Sequence, residues 1–237
     1  MKLVAIAVIH IPITACKLLN FVVEKIKSRM KNRITIAVLL TVSVSIFSSC
    51  SKAQNSSTIM KDTSGDKVLI VYLSRTKNTK AVAQIINGFI GGKLVELQLQ
   101  NPYPEDYHAN VEQVVRENET GFLPPLKTKI DSIKNYNVVF IGFPTWDMKI
   151  PPPVKSFLKQ YDLSGKTVVP FNTNAGYGVG SGFQTVKELC PGSSVLEGYE
   201  TKGGIEKEGV LFVMEGNKKK KVETELKKWL QRLKMIE

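Results

Sequence analysis

Six consecutive polar or charged residues, Ser74-Arg75-Thr76-Lys77-Asn78-Thr79, separate an apolar run from an amphipathic segment. The run before them, Val68-Leu69-Ile70-Val71-Tyr72-Leu73, has the pattern of a strand buried on both faces. After them Val82, Ile85, Ile86 and Phe89 recur at helical spacing. A strand that passes straight into a helix N-terminus makes an anion site. The first-turn N–H groups have no intrahelical acceptor, and the helix dipole favours negative charge there. The hydroxyls of Ser74, Thr76 and Thr79 add donors, and Arg75 and Lys77 add charge. The plainer alternative is an ordinary strand-to-helix turn with Asn78 or Thr79 as its N-cap.

Two more loops follow apolar strands. Val138 to Phe143 leads into Pro144-Thr145-Trp146-Asp147. Thr167 to Phe171 leads into a glycine-rich loop, 172–182, that includes Thr173-Asn174-Ala175-Gly176-Tyr177-Gly178. Trp146 offers a flat face to an aromatic ligand, or else packs at the rim against Pro151. Backbone groups of a glycine-rich loop approach a ring edge that side chains would obstruct. The first loop matches neither G-x-x-x-x-G-K-[ST] nor G-x-G-x-x-G, and the run Gly176 to Gly182 has Ser181 where a third glycine belongs. A nucleoside triphosphate or a tightly held NAD is therefore not expected. His108 reads as a solvated helix residue and Cys190 as half-buried packing, so no metal site and no catalytic side chain is assigned.

The elements that position these loops alternate. Lys93 to Leu99 reads as a strand and Glu105 to Glu117 as a helix with Tyr107, Val111, Val114 and Val115 inward. A short helix is expected near Ile130–Ile133. Pro151-Pro152-Pro153 opens another helix, with Val154, Phe157, Leu158 and Tyr161 inward. Phe183 to Cys190 makes a short helix, and Val195-Leu196 begins a fifth strand. Lys218 to Met235 forms a long last helix with Trp229 in the core, its lysines a solvated face. Val210 to Met214 suits either a further strand or a hairpin arm. Strands alternating with helices imply an α/β fold with a parallel sheet wrapped on both faces.

The chain has 237 residues, 43% of them hydrophobic, and a net charge of +12. Most of that charge lies outside the alternating region. Residues 1–52 carry eight Lys or Arg against Glu24 alone, which leaves a net of +5 for the remainder. A nucleic-acid partner is therefore not expected. Met30-Lys31-Asn32-Arg33, the apolar run Ile34 to Phe47 and Ser48-Ser49-Cys50 have the layout of a targeting segment. It resembles a bacterial lipoprotein signal (30–50) with Cys50 as the lipid attachment point, although Phe47 stands where an aliphatic residue is usual. A plain membrane anchor is the alternative, but the run is shorter than the ~20 residues a span needs. Residues 1–29 read as an upstream extension if Met30 is the start, 51–66 as a flexible tether, and 67–237 as the folded domain. The implied location is the cell envelope, with the domain facing the periplasm or the outside.

The combination Ser74-x-Thr76-x-Asn78-Thr79, Asn101-Pro102-Tyr103-Pro104-Glu105-Asp106-Tyr107, Gly142-Phe143-Pro144-Thr145-Trp146, Pro151-x-Pro153-Val154-x-x-Phe157-Leu158 and Phe171-x-Thr173 resembles the flavodoxins. The resemblance implies a doubly wound sheet of five parallel strands in the order 2-1-3-4-5, a fold in which FMN binds at the switch point. It also implies FMN as cofactor, its phosphate on loop 74–79 and its ring between loops 144–149 and 172–178. Electron transfer to redox partner proteins or small-molecule acceptors would follow. Two alternatives share the fold, an NAD(P)H-dependent quinone or flavin reductase and a flavin-free binding module. One departure is Asp147, where relatives often place a second aromatic.

Overall fold

The computed structural model describes residues 67–237. The extension, the targeting segment with Cys50 and the tether lie outside the described residues. Strand β1 (Val68–Tyr72) is followed by α1 (Asn78–Ile90), β2 (Lys93–Glu96) and α2 (Tyr107–Thr120). Then come β3 (Val138–Pro144), α3 (Pro152–Gln160), β4 (Thr167–Asn174), α4 (Gly182–Leu189), β5 (Ser194–Val195), β6 (Tyr199–Lys202) and α5 (Gly216–Arg232). All pairings in the sheet are parallel, in the order β2-β1-β3-β4-β5, with β6 also on β4. The parallel sheet is what the alternating pattern implies, and its order 2-1-3-4-5 is the one that the resemblance to the flavodoxins implies.

Side-chain alternation along the central strands builds two cores. Leu69, Val71, Val139, Ile141 and Phe143 face one side, where Val154 and Phe157 of α3 and Val186 of α4 pack on them. Val68, Ile70, Phe140 and Phe171 face the other, against Val82 and Ile86 of α1 and Val222, Leu226, Trp229 and Leu230 of α5. The continuous apolar runs are explained by this double burial.

The fifth strand position is split rather than continuous. β5 pairs with Thr167 and Val168, and β6 pairs with Phe171 to Asn174. Between them lies Pro170. The Val168 carbonyl accepts from the Leu196 N–H at 2.9 Å, so alternation turns the nitrogen of residue 170 to the same side. Proline has no N–H to donate there, and the ladder breaks.

Other elements depart from the pattern. Ile130 is buried but not helical, and a single 3-10 turn forms at Ile133–Asn135 instead. The run Val210 to Met214 is neither strand nor arm beyond one antiparallel bridge, Ile205 to Val210, and Val210, Leu211 and Phe212 are exposed. Cys190 is buried outright rather than half-buried, at 4% exposure, and burial pushes its thiol up to about 11. Since the thiolate is the nucleophile, iodoacetamide at pH 8 should leave Cys190 unmodified in the native protein and modify it in urea. Peptide mass mapping reads this, and ready labelling of the native thiol would mean that the end of α4 opens in solution.

Candidate functional site

Because β1, β3 and β4 are neighbours, the loops leaving their carboxyl ends meet. They enclose a cavity of about 510 Å³, within the size range of small-molecule sites. Of the residues singled out by sequence, Arg75, Thr76, Asn78, Thr79, Pro144, Thr145, Trp146, Asp147, Thr173, Asn174, Ala175, Tyr177 and Gly178 line it, whereas Ser74, Lys77 and Gly176 do not.

The first loop is organised by its own hydroxyls. Neither Asn78 nor Thr79 is the N-cap. Lys77 occupies that position in the left-handed conformation with φ 64°, and its side chain makes no cap bond. The third helical N–H, that of Lys80, donates to Ser74 Oγ at 3.1 Å. Asn78 Nδ2 donates to Thr76 Oγ1 at 2.8 Å, which leaves the Thr76 hydroxyl proton free for a ligand. Thr79 Oγ1 and Thr173 Oγ1 are 2.8 Å apart, tying the first loop to the third inside the protein. Arg75 is engaged elsewhere: Nε donates to Glu206 Oε1 at 2.6 Å, Nη1 to the Pro104 carbonyl at 2.8 Å and Nη2 to the Glu105 carbonyl at 2.5 Å.

The second loop is a tight turn. Trp146 and Lys149 exchange both N–H···O bonds, at 3.2 and 2.9 Å, across Asp147 and Met148, whose φ angles are 50° and 52°. Two non-glycine residues in the left-handed region are uncommon and mark local strain. Asp147 accepts from Lys149 Nζ at 3.0 Å and from Asn118 Nδ2 at 3.2 Å. Asn118 Oδ1 in turn accepts from Lys155 Nζ at 2.8 Å. Burial, then repulsion from Lys149, lowers the Lys155 pKa against the opposing pull of Asp147. Thr145 Oγ1 donates within a set that includes Asn172 Oδ1 at 3.2 Å and the Gly178 carbonyl at 3.0 Å, which joins this turn to the third loop.

The third loop is shaped by Asn174, whose Oδ1 accepts from the Gly176 N–H at 2.9 Å and the Gly178 N–H at 3.3 Å. Gly180 sits at φ 58°, and a Cβ there would stand 2.0 Å from the Met148 carbonyl oxygen. Only glycine allows the two loops to approach this closely.

A fourth wall was not anticipated. Tyr107, Asn110, Val111, Val114 and Val115 of α2 line the cavity, joined by Met148 and by 204–208. The periodicity of α2 suggested a core stripe. Val114 is buried, but Val111 is 39% exposed, and the buried positions beside Val114 are Asn110 and Glu117. Asn110 Nδ2 has no hydrogen-bond partner among the described residues, an arrangement that buried amides rarely keep without a ligand or water. An asparagine one turn into an amphipathic helix was the available signal.

Trp146 is half-buried, with its ring edge-to-face with Tyr103 at 5.4 Å and 89°. The Tyr103 hydroxyl donates to Glu117 Oε2, and burial, then that bond, raises the Tyr103 pKa. Tyr177, at 78% exposure, stands at the mouth of the cavity. His108 is exposed, and no group of residues suited to a metal occurs among the described residues. The site therefore offers neutral N–H and O–H donors at one helix N-terminus and aromatic and apolar walls beyond. That set suits a phosphate monoester attached to a planar ring.

Comparison with solved structures places the same fold elsewhere. A protein of Bacteroides eggerthii DSM 20697 named as a flavoprotein is 28% identical over 70% of this chain and 96% of its own, with a TM-score of 0.56. Another of Bacteroides uniformis ATCC 8492 is 26% identical over 61% of this chain and 96% of its own, with a TM-score of 0.54. A flavoprotein of Lactobacillus acidophilus NCFM, solved in complex with FMN, is 23% identical over 57% of this chain and 93% of its own (TM-score 0.51) and shares the fold. No curated protein matches the chain. The flavodoxin family model matches residues 67–217, which holds every strand of the sheet and all three loops of the cavity, and on that match the chain belongs to the flavodoxin family.

Proposed function

We propose that the domain binds FMN in this cavity and transfers electrons, held at the cell envelope by a lipid on Cys50. The observation that carries the reading is the donor set: Thr76, whose hydroxyl proton is not used by Asn78, and Asn78 and Thr79, which open α1 at the end where helical N–H groups lack partners, line the same cavity as Trp146. When bound, FMN supplies one- and two-electron redox chemistry that these side chains lack. Thr76 and the α1 N-terminus hold the phosphate. Trp146 and Tyr177 give the ring two flat faces, so that Tyr177 takes the part of the aromatic absent at position 147. The Asn110 amide is available to an acceptor oxygen of the ligand. Electrons pass to redox partner proteins or small-molecule acceptors.

A yellow purified protein with a flavin absorbance spectrum is the first expectation, and a colourless chain that takes up no added FMN would leave only a binding module. NAD(P)H bleaching the yellow without a partner enzyme would move the reading to a reductase. Lipid attachment has its own test. Cys50→Ala should abolish labelling by a fatty-acid analogue, and equal labelling of the variant would remove the anchor.

Trp146 gives a prediction at the ring. Stacked rings gain about 0.5–1.5 kcal/mol beyond area burial, so Trp146→Ala should weaken flavin several-fold. Titrating the apoprotein with FMN should quench tryptophan emission chiefly through Trp146. Quenching that persists in Trp146→Phe would place the ring away from this turn.

A further inference from the structure

The segment from Gly203 to Met214 belongs to no strand or long helix, yet it is fastened to the first loop of the site. It leaves β6 beside Asn78, and a Cβ on Gly203 would lie 3.3 Å from that of Asn78. Asn78 Nδ2 donates to the Leu211 carbonyl at 2.6 Å, and Asn78 Oδ1 accepts from the Val213 N–H at 3.1 Å. The Ile205–Val210 bridge closes the segment on itself. Gly204 packs so tightly under its own return that a Cβ would meet the Leu211 carbonyl oxygen at 2.2 Å. Residues 204–208 form part of the cavity wall, with Val210, Leu211 and Phe212 on the outside.

Arg75 is the third fastening. Its charge is matched by Glu206, with both side chains largely withdrawn from water at 18% and 22% exposure. Two more of its N–H groups hold the Pro104 and Glu105 carbonyls, just ahead of α2. One planar guanidinium thus joins the phosphate loop, the entry to α2 and the 204–213 strap. A fork geometry of this kind cannot be reproduced by lysine, which presents a point charge.

We propose that Arg75 is a positioning residue that fastens the 204–213 strap across the phosphate loop and so sets how fast a bound flavin leaves, rather than a ligand of the phosphate. The proposal rests on the flavin reading of the cavity. The phosphate is then held by uncharged donors. The strap must lift, breaking the Arg75–Glu206 pair, before the ligand can go.

The two roles for Arg75 predict opposite signs at Glu206. As a fastening, the pair is needed intact, so Arg75→Ala and Glu206→Gln should both speed release of FMN. They should speed riboflavin by a similar factor, about tenfold or more for a lost bond between charged groups. As a phosphate ligand held in check by Glu206, Arg75 would be freed by Glu206→Gln. FMN release would then slow, and Arg75→Ala would affect FMN alone. Release is measured on the purified full chain by the recovery of flavin fluorescence after rapid large dilution, which prevents rebinding. Arg75→Lys guards against an alanine variant that fails to fold. It should release both flavins as fast as the alanine variant, and restoration by lysine would overturn the proposal, as would rates unchanged in Glu206→Gln. A wild-type chain that binds neither flavin removes the flavin reading itself, a result distinct from both.

Discussion

Thr76→Val is expected to weaken FMN about ten- to a hundredfold while changing riboflavin, which has no phosphate, only a few-fold. The Thr76 hydroxyl accepts from Asn78 at 2.8 Å and keeps its own proton for the ligand. A lost hydrogen bond to a charged group is worth roughly 1.5–3 kcal/mol, which gives that factor. Thr79→Val is the internal contrast. Thr79 is 2% exposed and its hydroxyl meets Thr173. Valine there leaves a buried hydroxyl unpaired at a cost of about 1–3 kcal/mol of stability, and both flavins should suffer alike. Isothermal titration with each flavin separates the two. Equal losses for FMN and riboflavin in Thr76→Val would place the phosphate away from this loop.

The largest effect on stability is expected at Trp229. Its side chain is 1% exposed, and its Nε1 donates to the Glu197 carbonyl at 3.1 Å. Its ring contacts Phe140 edge-on at 6.1 Å and Tyr199 at 5.5 Å. Truncating a buried tryptophan costs about 3–5 kcal/mol, a large part of the ~5–15 kcal/mol that holds a typical domain folded. Urea unfolding of Trp229→Ala should show a correspondingly lower midpoint. Trp229 lies on the α5 side of the sheet, apart from the cavity, so the fraction that remains folded should bind flavin as the wild type does. A midpoint close to that of the wild type would mean that α5 contributes little to the second core.

What the sequence made legible follows from local periodicity. Val68 to Leu73 and Val138 to Phe143 announce buried strands because both of their faces are covered, and the loops that leave them must then share an edge. The cofactor-loop residues mostly reach one cavity for that reason. Arg75 was legible as a charge near an anion site but not as a fastening, since its carboxylate partner lies at Glu206, far along the chain. Asn110 was hidden by the apolar residues around it, whose spacing fits a core stripe although part of that stripe faces the cavity. The N-cap was missed because Lys77 takes a left-handed φ with no side-chain bond, a choice that propensity does not reveal. Val210 to Met214 reads as a strand by composition. It joins no edge of the sheet, and its Leu211 carbonyl and Val213 N–H go to Asn78 instead.

Pro170 has a consequence for how the molecule behaves at high concentration. The strand pair that it interrupts is the outer border of the sheet, where unpaired main-chain groups invite another chain to add on. Two strands of two and four residues, offset around a missing donor, offer no straight template for such growth. Glu200 and Lys202, both exposed, place opposite charges along the longer piece. Filling the gap with Pro170→Val would restore a donor at this position, and the straighter border it allows would be a site for edge-to-edge self-association of the domain.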